Sequence, residues 1–269
     1  MSVVAKAISL LEHFSVQNPE LGLSQLCRLA KKDKATTYRY LTTLESIDFV
    51  EQNPVSKMYR IGPAVLHLAD IREQTVPRRE GAIKPLEILA QATGETAHVS
   101  ILSGNGLHAL EACESMLHST RAVIDLQKLP LHATASGICA LAFGPADLTQ
   151  IANTTLTQFT KQTAQDVETL ARYISRVQQS GFGFSDRAFE NDIVGFAAPL
   201  FDHTGQMAGT VAVAAVASRL TNALVDQIHN SLITASTSIS HNWGGRVPTS
   251  IQTLWAQSSK SLAEKEMSI

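Results

Sequence analysis

The sequence predicts an α+β protein made of a small helical head and a larger body that contains an antiparallel sheet. The first 60 or so residues hold three short helical patterns followed by two short β-prone runs. The rest of the chain mixes hairpin patterns with helical ones. Hairpins with helices gathered on one side are typical of an α+β sheet domain rather than of a doubly wound parallel sheet.

Three helices are predicted in the head. Apolar residues recur at helical spacing over residues 3–16, and Ser24 is placed to cap a second short helix. A third helix is predicted over residues 35–47. We expect its inner side to carry Leu41, Leu44 and Tyr38.

A hairpin follows the third helix. Residues 49–51 and 58–61 have the composition of strands, and the segment between them contains Asn53-Pro54, which favours a turn. Three short helices followed by a hairpin form a winged helix-turn-helix, which we assign to residues 1–62.

The remaining chain divides into a connecting helix, a sheet domain and a tail. A linker helix is predicted over 63–80; its apolar stripe favours packing against a second chain, although a simple spacer is the alternative. The sheet domain spans 81–243, and residues 244–269 form a polar tail that we expect to be half-ordered. Helices are predicted over 83–92, 135–143, 146–153, 164–180 and 222–241, and strands over 96–103, 107–114, 121–126, 194–201 and 207–217.

Composition limits the cellular setting. The chain is 44% hydrophobic and 17% charged, which is typical of a globular protein with an apolar core. Its three cysteines lack disulfide or zinc spacing, so we expect a reducing compartment. The N-terminus lacks the pattern of an export signal, and the apolar run 211–217 is too short to span a membrane. We therefore expect a cytoplasmic protein with no membrane partner.

The charge is distributed unevenly along the chain. Residues 1–80 carry 11 Lys and Arg against 9 Asp and Glu, whereas the remainder carries 11 against 15. Between Arg28 and Arg39 there are five cations and one anion, on the turn and start of the third helix. A solvated basic surface is one interpretation, but the helix–turn–helix–hairpin order favours DNA binding.

We expect side chains of the third helix to contact DNA in the major groove, with the hairpin touching the backbone. The lysine and arginine side chains would neutralise phosphates, and the hydroxyl groups would hydrogen-bond to them. The predicted DNA-binding residues are Lys34, Thr36, Thr37, Tyr38, Arg39 and Tyr40 of the third helix, and Lys57 and Arg60 of the hairpin.

Other chemistries are less well supported by the pattern. A hydrolase or lyase could use Cys139, close to His132 and Ser136, but an apolar helical stretch surrounds that cysteine and no ordered triad accompanies it. His98 and His108 could approach each other across a hairpin, yet the histidines have no metal-ligand spacing. We predict no catalytic residue, no metal site and no cofactor, and retain an enzyme with an accessory helical domain as the alternative.

Several segments, in order, resemble the IclR family of bacterial transcription regulators. Residues 34–44 are similar to the family's recognition helix, and residues 58–62 to its closing wing strand. Residues 131–137 and 181–202 are similar to parts of its effector domain. The resemblance implies a GAF/PAS-like sheet domain, a small-molecule effector that changes the affinity for double-stranded operator DNA, and a homodimer or homotetramer.

The resemblance also implies a set of effector-binding positions. Family members with a carboxylate effector line the pocket with Asp, Cys and two Ser. By the resemblance, these positions are occupied here by Ser185, Gly195, Ala212 and Ala214. Ala135 and Ser136 match residues whose backbone N–H groups face the ligand at a helix start. His132 precedes that segment and either orients the loop or meets the ligand. The wall at the first four of these positions is less polar and leaves more space, so it predicts a carboxylate that is larger or more aromatic than a two- or three-carbon keto acid.

Overall fold

The computed structural model describes residues 2–15, 17–124, 128–154 and 156–266, without the side chains of Glu73, Lys128 and 259–266. The chain divides into two compact units, Met1–Pro77 and Arg78–Ile269, called here the head and the body.

The head is a winged helix-turn-helix followed by one further helix. A 3-10 turn at Leu11–His13 follows the first helix. The elements in chain order are α1 (Val3–Ile8), α2 (Leu23–Ala30), α3 (Lys34–Glu45), β1 (Val50–Gln52), β2 (Tyr59–Ile61) and α4 (Ala64–Thr75). Strands β1 and β2 pair antiparallel and form the wing, which confirms the architecture predicted for this part of the chain.

Local capping sets where the head helices begin. Helix α2 starts after Gly22, whose N–H donates to Gln25 Oε1 at 2.8 Å, so the predicted cap at Ser24 is wrong and Ser24 lies inside the first turn. Helix α3 starts after Asp33, because Oδ1 of Asp33 accepts a hydrogen bond from Thr36 N at 2.8 Å.

The inner side of α3 differs from the prediction. Tyr40 is 6% exposed and belongs to the head core, whereas Tyr38 is 54% exposed. The buried stripe runs through Thr37, Tyr40, Leu41 and Leu44. At about 100° per residue, Tyr38 lies roughly 110° from the centre of that stripe, so it cannot share it.

The predicted linker helix over 63–80 is interrupted. Val76 leaves the helical conformation (φ −135°, ψ 74°) immediately before Pro77. The proline ring disfavours the α conformation in the preceding residue, so α4 ends there and the next helix begins at Arg78.

The body has a six-stranded antiparallel sheet with the order β5-β4-β3-β8-β7-β6. Its strands are β3 (Thr96–Ser103), β4 (Gly106–Cys113), β5 (Lys128–Leu129), β6 (Gly183–Asp186), β7 (Ile193–Phe201) and β8 (Met207–Val216), and its helices are α5 (Arg78–Thr93), α6 (Ala135–Phe143), α7 (Asp147–Asn153), α8 (Val167–Ser180), α9 (Asn222–Asn242) and α10 (Thr249–Glu266).

Helices cover both faces of this sheet. On β7, Phe196 contacts His229 of α9, whereas the adjacent Gly195 approaches Ala135 of α6. Successive residues of a strand point to opposite faces, so α6 and α9 lie on opposite sides. Helix α5 packs beside α9 and against β3 and β4. The α6 side of the sheet is where the candidate site lies.

Two predictions about the body need correction, and strands β5 and β6 were not predicted. The strand predicted over 121–126 is absent from 121–124, and its last two residues lie outside the described ones. The tail predicted as half-ordered contains α10, whose Trp255 is 2% exposed and joins the body core. No helix within the described ranges is both long and apolar enough to cross a membrane.

Candidate functional site

A cavity of about 300 Å³ lies in the body, between the sheet and the first turn of α6. Five strands (β3, β5, β6, β7 and β8), the start of α6 and four loop segments contribute to it. Its lining consists of His98, Ala122, Val123, Ile124, Leu129, Pro130, Thr134, Ala135, Ser136, Phe159, Ser185, Phe189, Glu190, Ile193, Gly195, Ala212, Val213 and Ala214.

Small residues on the sheet make room for α6 and for the cavity. A Cβ atom on Gly195 would lie 3.0 Å from Ala135 Cβ, and one on Gly183 would lie 2.3 Å from the Ala135 carbonyl oxygen. Ala212 and Ala214 continue this surface on β8, where they pair with Ala197 and Gly195. Because these side chains are short, the helix start approaches the sheet closely and space remains beside it.

The first turn of α6 presents hydrogen-bond donors at the cavity. Thr134 caps the helix, with its Oγ1 accepting from Gly137 N at 2.9 Å. The first N–H groups of a helix have no acceptor within it and lie at the positive end of its dipole. Ala135 and Ser136 carry two of these groups and both line the cavity, which suits an anionic group.

A buried histidine lies against the same turn. His98 of β3 is 8% exposed, and its Nε2 is 3.2 Å from Ser136 Oγ. Its Nδ1 is buried and has no hydrogen-bond partner among the residues that the structure describes. Burial lowers the pKa of His98 to about 4, so the ring is neutral at pH 7.

Two predicted effector residues make hydrogen bonds to the backbone. Ser185 Oγ donates to the Ala133 carbonyl at 2.7 Å while still lining the cavity. His132 is buried outside the cavity lining, and its Nε2 lies 2.8 Å from the Thr157 carbonyl oxygen. Its ring also lies 5.8 Å from that of Phe159. Of the two roles considered for His132, this geometry suits orientation of a loop and not contact with a ligand.

The other walls of the cavity are mostly apolar. Phe159 and Phe189 meet edge to face, with ring centroids 4.9 Å apart. Among the lining residues within the described ranges, Glu190 is the one acidic side chain. An apolar cavity with a few donors at one end suits a ligand that has a hydrophobic body and an anionic group.

The cavity therefore brings together six of the seven predicted effector positions: Ala135, Ser136, Ser185, Gly195, Ala212 and Ala214. That they bind an effector stays a prediction. Sequence reasoning missed His98, which it weighed only as a metal ligand, and the loop residues Phe159 and Phe189. The alternation of polar and apolar residues along β3 was a usable signal that His98 lies on the same face as Thr96 and Ser100. No pattern in the sequence marks the loop residues.

The groups considered for other chemistry lie elsewhere. Cys139 is fully buried, and burial raises the pKa of its thiol, which disfavours the nucleophilic thiolate. Asp186 and Arg187 form an exposed ion pair at 2.8 Å and do not line this cavity. Within the described ranges, no group of three or more His, Cys, Asp or Glu side chains is arranged to hold a metal ion.

On α3, the structure exposes some of the predicted DNA-binding side chains and buries others. Lys34, Tyr38 and Arg39 are exposed, and Thr36 is partly so. The expectation that Thr37 and Tyr40 are exposed is wrong: both belong to the buried stripe, and Thr37 Oγ1 donates to the Asp33 carbonyl at 2.9 Å.

The basic segment retains its positive charge in the folded head. None of its five cations forms an ion pair in the described part of the chain; they are Arg28, Lys31, Lys32, Lys34 and Arg39. Its one anion, Asp33, caps α3, and the hydrogen bond from Thr36 lowers the pKa of that carboxyl. A concentrated positive charge at the start of α3 suits contact with a duplex.

The wing contributes two cations, of which Arg60 is paired and Lys57 forms no ion pair with any residue that the structure describes. Lys57 is exposed at the hairpin turn, where its φ is +57°. Arg60 pairs with Glu51 on the neighbouring strand and lies 3.6 Å from Glu20. Contact between Arg60 and a phosphate would therefore compete with these two carboxylates.

Comparisons with known proteins match both the head and the body to one family. A family profile described as the bacterial transcriptional regulator IclR C-terminal domain matches residues 65–241, and one described as the IclR helix-turn-helix domain matches residues 3–54. The transcriptional regulator XynR of Escherichia coli is 26% identical over 90% of this chain and 96% of its own.

Solved structures are similar over nearly the whole chain. An IclR-type transcriptional regulator from Silicibacter is 36% identical with a TM-score of 0.84, covering 93% of this chain and 99% of the other. An IclR homologue from Microbacterium hydrocarbonoxydans, solved in complex with 4-hydroxybenzoate, is 20% identical with a TM-score of 0.54, covering 89% and 100%.

Proposed function

Since the chain belongs to the IclR family of bacterial transcriptional regulators, we propose that it binds an operator through α3 and responds to an aromatic carboxylate held in the body cavity. The observation that carries the proposal is the cavity itself. It joins an apolar interior to the N-terminal turn of a helix, which is a favourable place for an anion.

The size and lining of the cavity favour an aromatic acid over a small keto acid. A two- or three-carbon acid would leave the apolar walls around Phe159 and Phe189 without contact. The homologue solved with 4-hydroxybenzoate supplies a suitable probe, although that ligand belongs to the other protein. Glu190 could accept a hydrogen bond from a hydroxyl group at the far end of such a ligand.

Effector recognition is tested by calorimetry on the full-length protein. We expect 4-hydroxybenzoate or benzoate to bind more tightly than glyoxylate or pyruvate, since only the larger acids fill the apolar part. Tight binding of glyoxylate or pyruvate, with no response to the aromatic acids, would contradict the proposed effector class.

For DNA recognition, the proposed contacts are Lys34, Thr36, Tyr38 and Arg39 of α3, together with Lys57 of the wing. Their support is that Lys34, Tyr38, Arg39 and Lys57 are exposed and Thr36 is partly exposed, and that three of the five are cations. Such contacts release counterions, so the affinity should fall steeply with salt.

An operator obtained by selection from random duplexes tests these contacts. Arg39→Ala should weaken binding and reduce the salt slope by about one. Lys161→Ala, at an exposed lysine of the body, is the control and should leave the operator affinity and the salt slope unchanged. An Arg39→Ala protein that binds with wild-type affinity at every salt concentration would contradict the assignment of α3.

We also propose that two heads act together in a homodimer or homotetramer. Helix α4 exposes Leu68 and Ile71 on one side, at 50% and 44%, and Leu66 on roughly the opposite side, at 74%. A second copy of α4 would cover the side that carries Leu68 and Ile71 and set the separation of two DNA half-sites. Effector binding would then favour one arrangement of the heads and so change operator affinity.

A further inference from the structure

His98 links the sheet to the ligand-facing turn of α6. It pairs with Ala212 across β3 and β8, and both residues line the cavity. Its Nε2 lies 3.2 Å from Ser136 Oγ, on a residue 38 positions further along the chain. The two side chains therefore meet at the place where the α6 amides would receive a carboxylate.

The unpartnered nitrogen of His98 indicates where the ring proton lies. A neutral imidazole has one N–H and one lone pair on its two nitrogens. The Nδ1 atom is buried without a partner among the described residues, and a buried N–H without an acceptor is the rarer and costlier arrangement. The proton is therefore on Nε2, from which it donates to Ser136 Oγ.

This direction determines what Ser136 offers to a ligand. A hydroxyl group has one proton to donate and two lone pairs that accept. When His98 Nε2–H occupies a lone pair, the Ser136 proton remains available to the cavity. In the other tautomer Ser136 would donate to His98, and only its lone pairs would face the ligand. Lone pairs repel a carboxylate and suit an amide N–H.

We infer that His98 is a positioning residue that makes Ser136 a hydrogen-bond donor, so that the cavity selects a carboxylate over the carboxamide of the same shape. This inference rests on the proposed function, because it takes the effector to be a carboxylate at the start of α6. A neutral ring suits the role: burial keeps the pKa of His98 near 4, and the anion is held by oriented dipoles from Ser136 and the helix amides.

The test compares 4-hydroxybenzoate with 4-hydroxybenzamide by calorimetry on the full-length protein. The wild type should prefer the acid. His98→Leu should weaken binding of the acid by about tenfold and that of the amide by less than about twofold. His98→Gln keeps an N–H that can reach Ser136, so it should restore most of the preference. His108→Leu, the same change on the adjacent strand and outside the cavity lining, is the matched control and should change neither affinity.

A ligand-free measurement complements the titrations. In ¹⁵N spectra of the histidine rings, the signals lost in His98→Gln should be those of a neutral Nε2–H tautomer. A neutral Nδ1–H tautomer would overturn the inference.

The outcomes separate the two proposals. Equal losses for acid and amide in His98→Leu, or an unchanged preference for the acid, would overturn the role of His98 and leave the effector class standing. Failure of the wild type to bind any aromatic carboxylate would contradict the effector class and the inference together.

Discussion

Lys31 occupies a backbone conformation that glycine adopts more readily. It ends α2 with φ 52° and ψ 49°, and its N–H donates to the Arg28 carbonyl. A side chain in this left-handed region is strained, yet the position places a cation on the turn before α3. Lys31 thus adds a cation to this turn at a cost in backbone strain.

Replacing Lys31 by Gly should separate these two effects. We expect Lys31→Gly to stabilise the head by about 0.5–1 kcal/mol, because the left-handed strain is removed. It should also reduce the salt slope of operator binding by about one. Amide hydrogen exchange in α2 and α3 measures the first effect. Lys31→Ala loses the same charge and keeps the strain. If α2 and α3 were equally protected from hydrogen exchange in Lys31→Gly and Lys31→Ala, this account would be contradicted.

His98 should make the stability of the body depend on pH. Its pKa is about 4 in the folded protein, below the ordinary value of 6.5, because burial disfavours the imidazolium. Between these values the unfolded chain binds a proton that the native state excludes. The free energy of unfolding should therefore fall as the pH drops from about 6.5 to about 4, by about 3 kcal/mol in all.

The contribution of His98 can be isolated by substitution. Burial also lowers the pKa of His229, so the wild type combines at least two effects of the same sign. Denaturant unfolding of His98→Gln should show a shallower pH dependence in this window, while the exposed His203→Gln should follow the wild type. Parallel curves for the wild type and His98→Gln would show that the assignment is wrong.

At the scale of an element, α10 completes the core of the body. Trp255 Nε1 donates to the Gly181 carbonyl at 2.8 Å, and its ring stacks on Phe182 with centroids 5.7 Å apart. Gly181 has φ 79° and ends α8, and a Cβ there would lie 2.7 Å from the indole. The helix thus fits against the turn that leads into β6.

Removing this contact should destabilise the body. We expect Trp255→Ala to lower the free energy of unfolding by about 3–5 kcal/mol, as for other large-to-small changes of a buried aromatic residue. The remaining tryptophan, Trp243, is a fluorescence reporter for denaturant unfolding. Gln257→Ala, at an exposed position of the same helix, should change the stability by less than about 0.5 kcal/mol. A similarly small effect of Trp255→Ala would mean that α10 is dispensable.

At the scale of the whole molecule, α4 carries the apolar surface that we assign to self-association. Leu68 and Ile71 lie one turn apart on it and are about half exposed. Operator recognition by a two-fold symmetric protein needs two heads at a set distance, because half-sites repeat with the helical turn of DNA. Association through α4 would therefore affect both assembly and DNA binding.

The double substitution Leu68→Glu with Ile71→Glu should prevent this association. Burying four carboxylates across a two-fold interface is unfavourable, so the assembly should shift to a smaller species in sedimentation velocity. Binding to a duplex with two half-sites should weaken more than binding to one half-site. Leu29→Glu makes the same change at an exposed leucine of α2 and is the control. If it shifted the assembly as much as the double substitution does, association through α4 would be contradicted.

Local patterns in the sequence predicted most of the architecture. Helix α6 was predicted over the same residues, 135–143, that the structure assigns to it, and in the structure Thr134 and Gly144 flank it as caps. Strands β3, β7 and β8 begin and end within about one residue of their predicted bounds. These features depend on residues close together in the chain, where capping, periodicity and turn composition act. The likeness to a known family added six positions that share one cavity.

Only the tertiary structure decided which side chains meet. The inward side of α3, the pairing of β6 at the sheet edge and the burial of Trp255 all depend on surfaces supplied by distant segments. His98 and Ser136 come together because the His98 side chain lies on the face of the sheet that α6 covers. Hydrophobic burial rewards contact irrespective of separation along the chain, so a pattern read over ten or twenty residues predicts an element but not its partners.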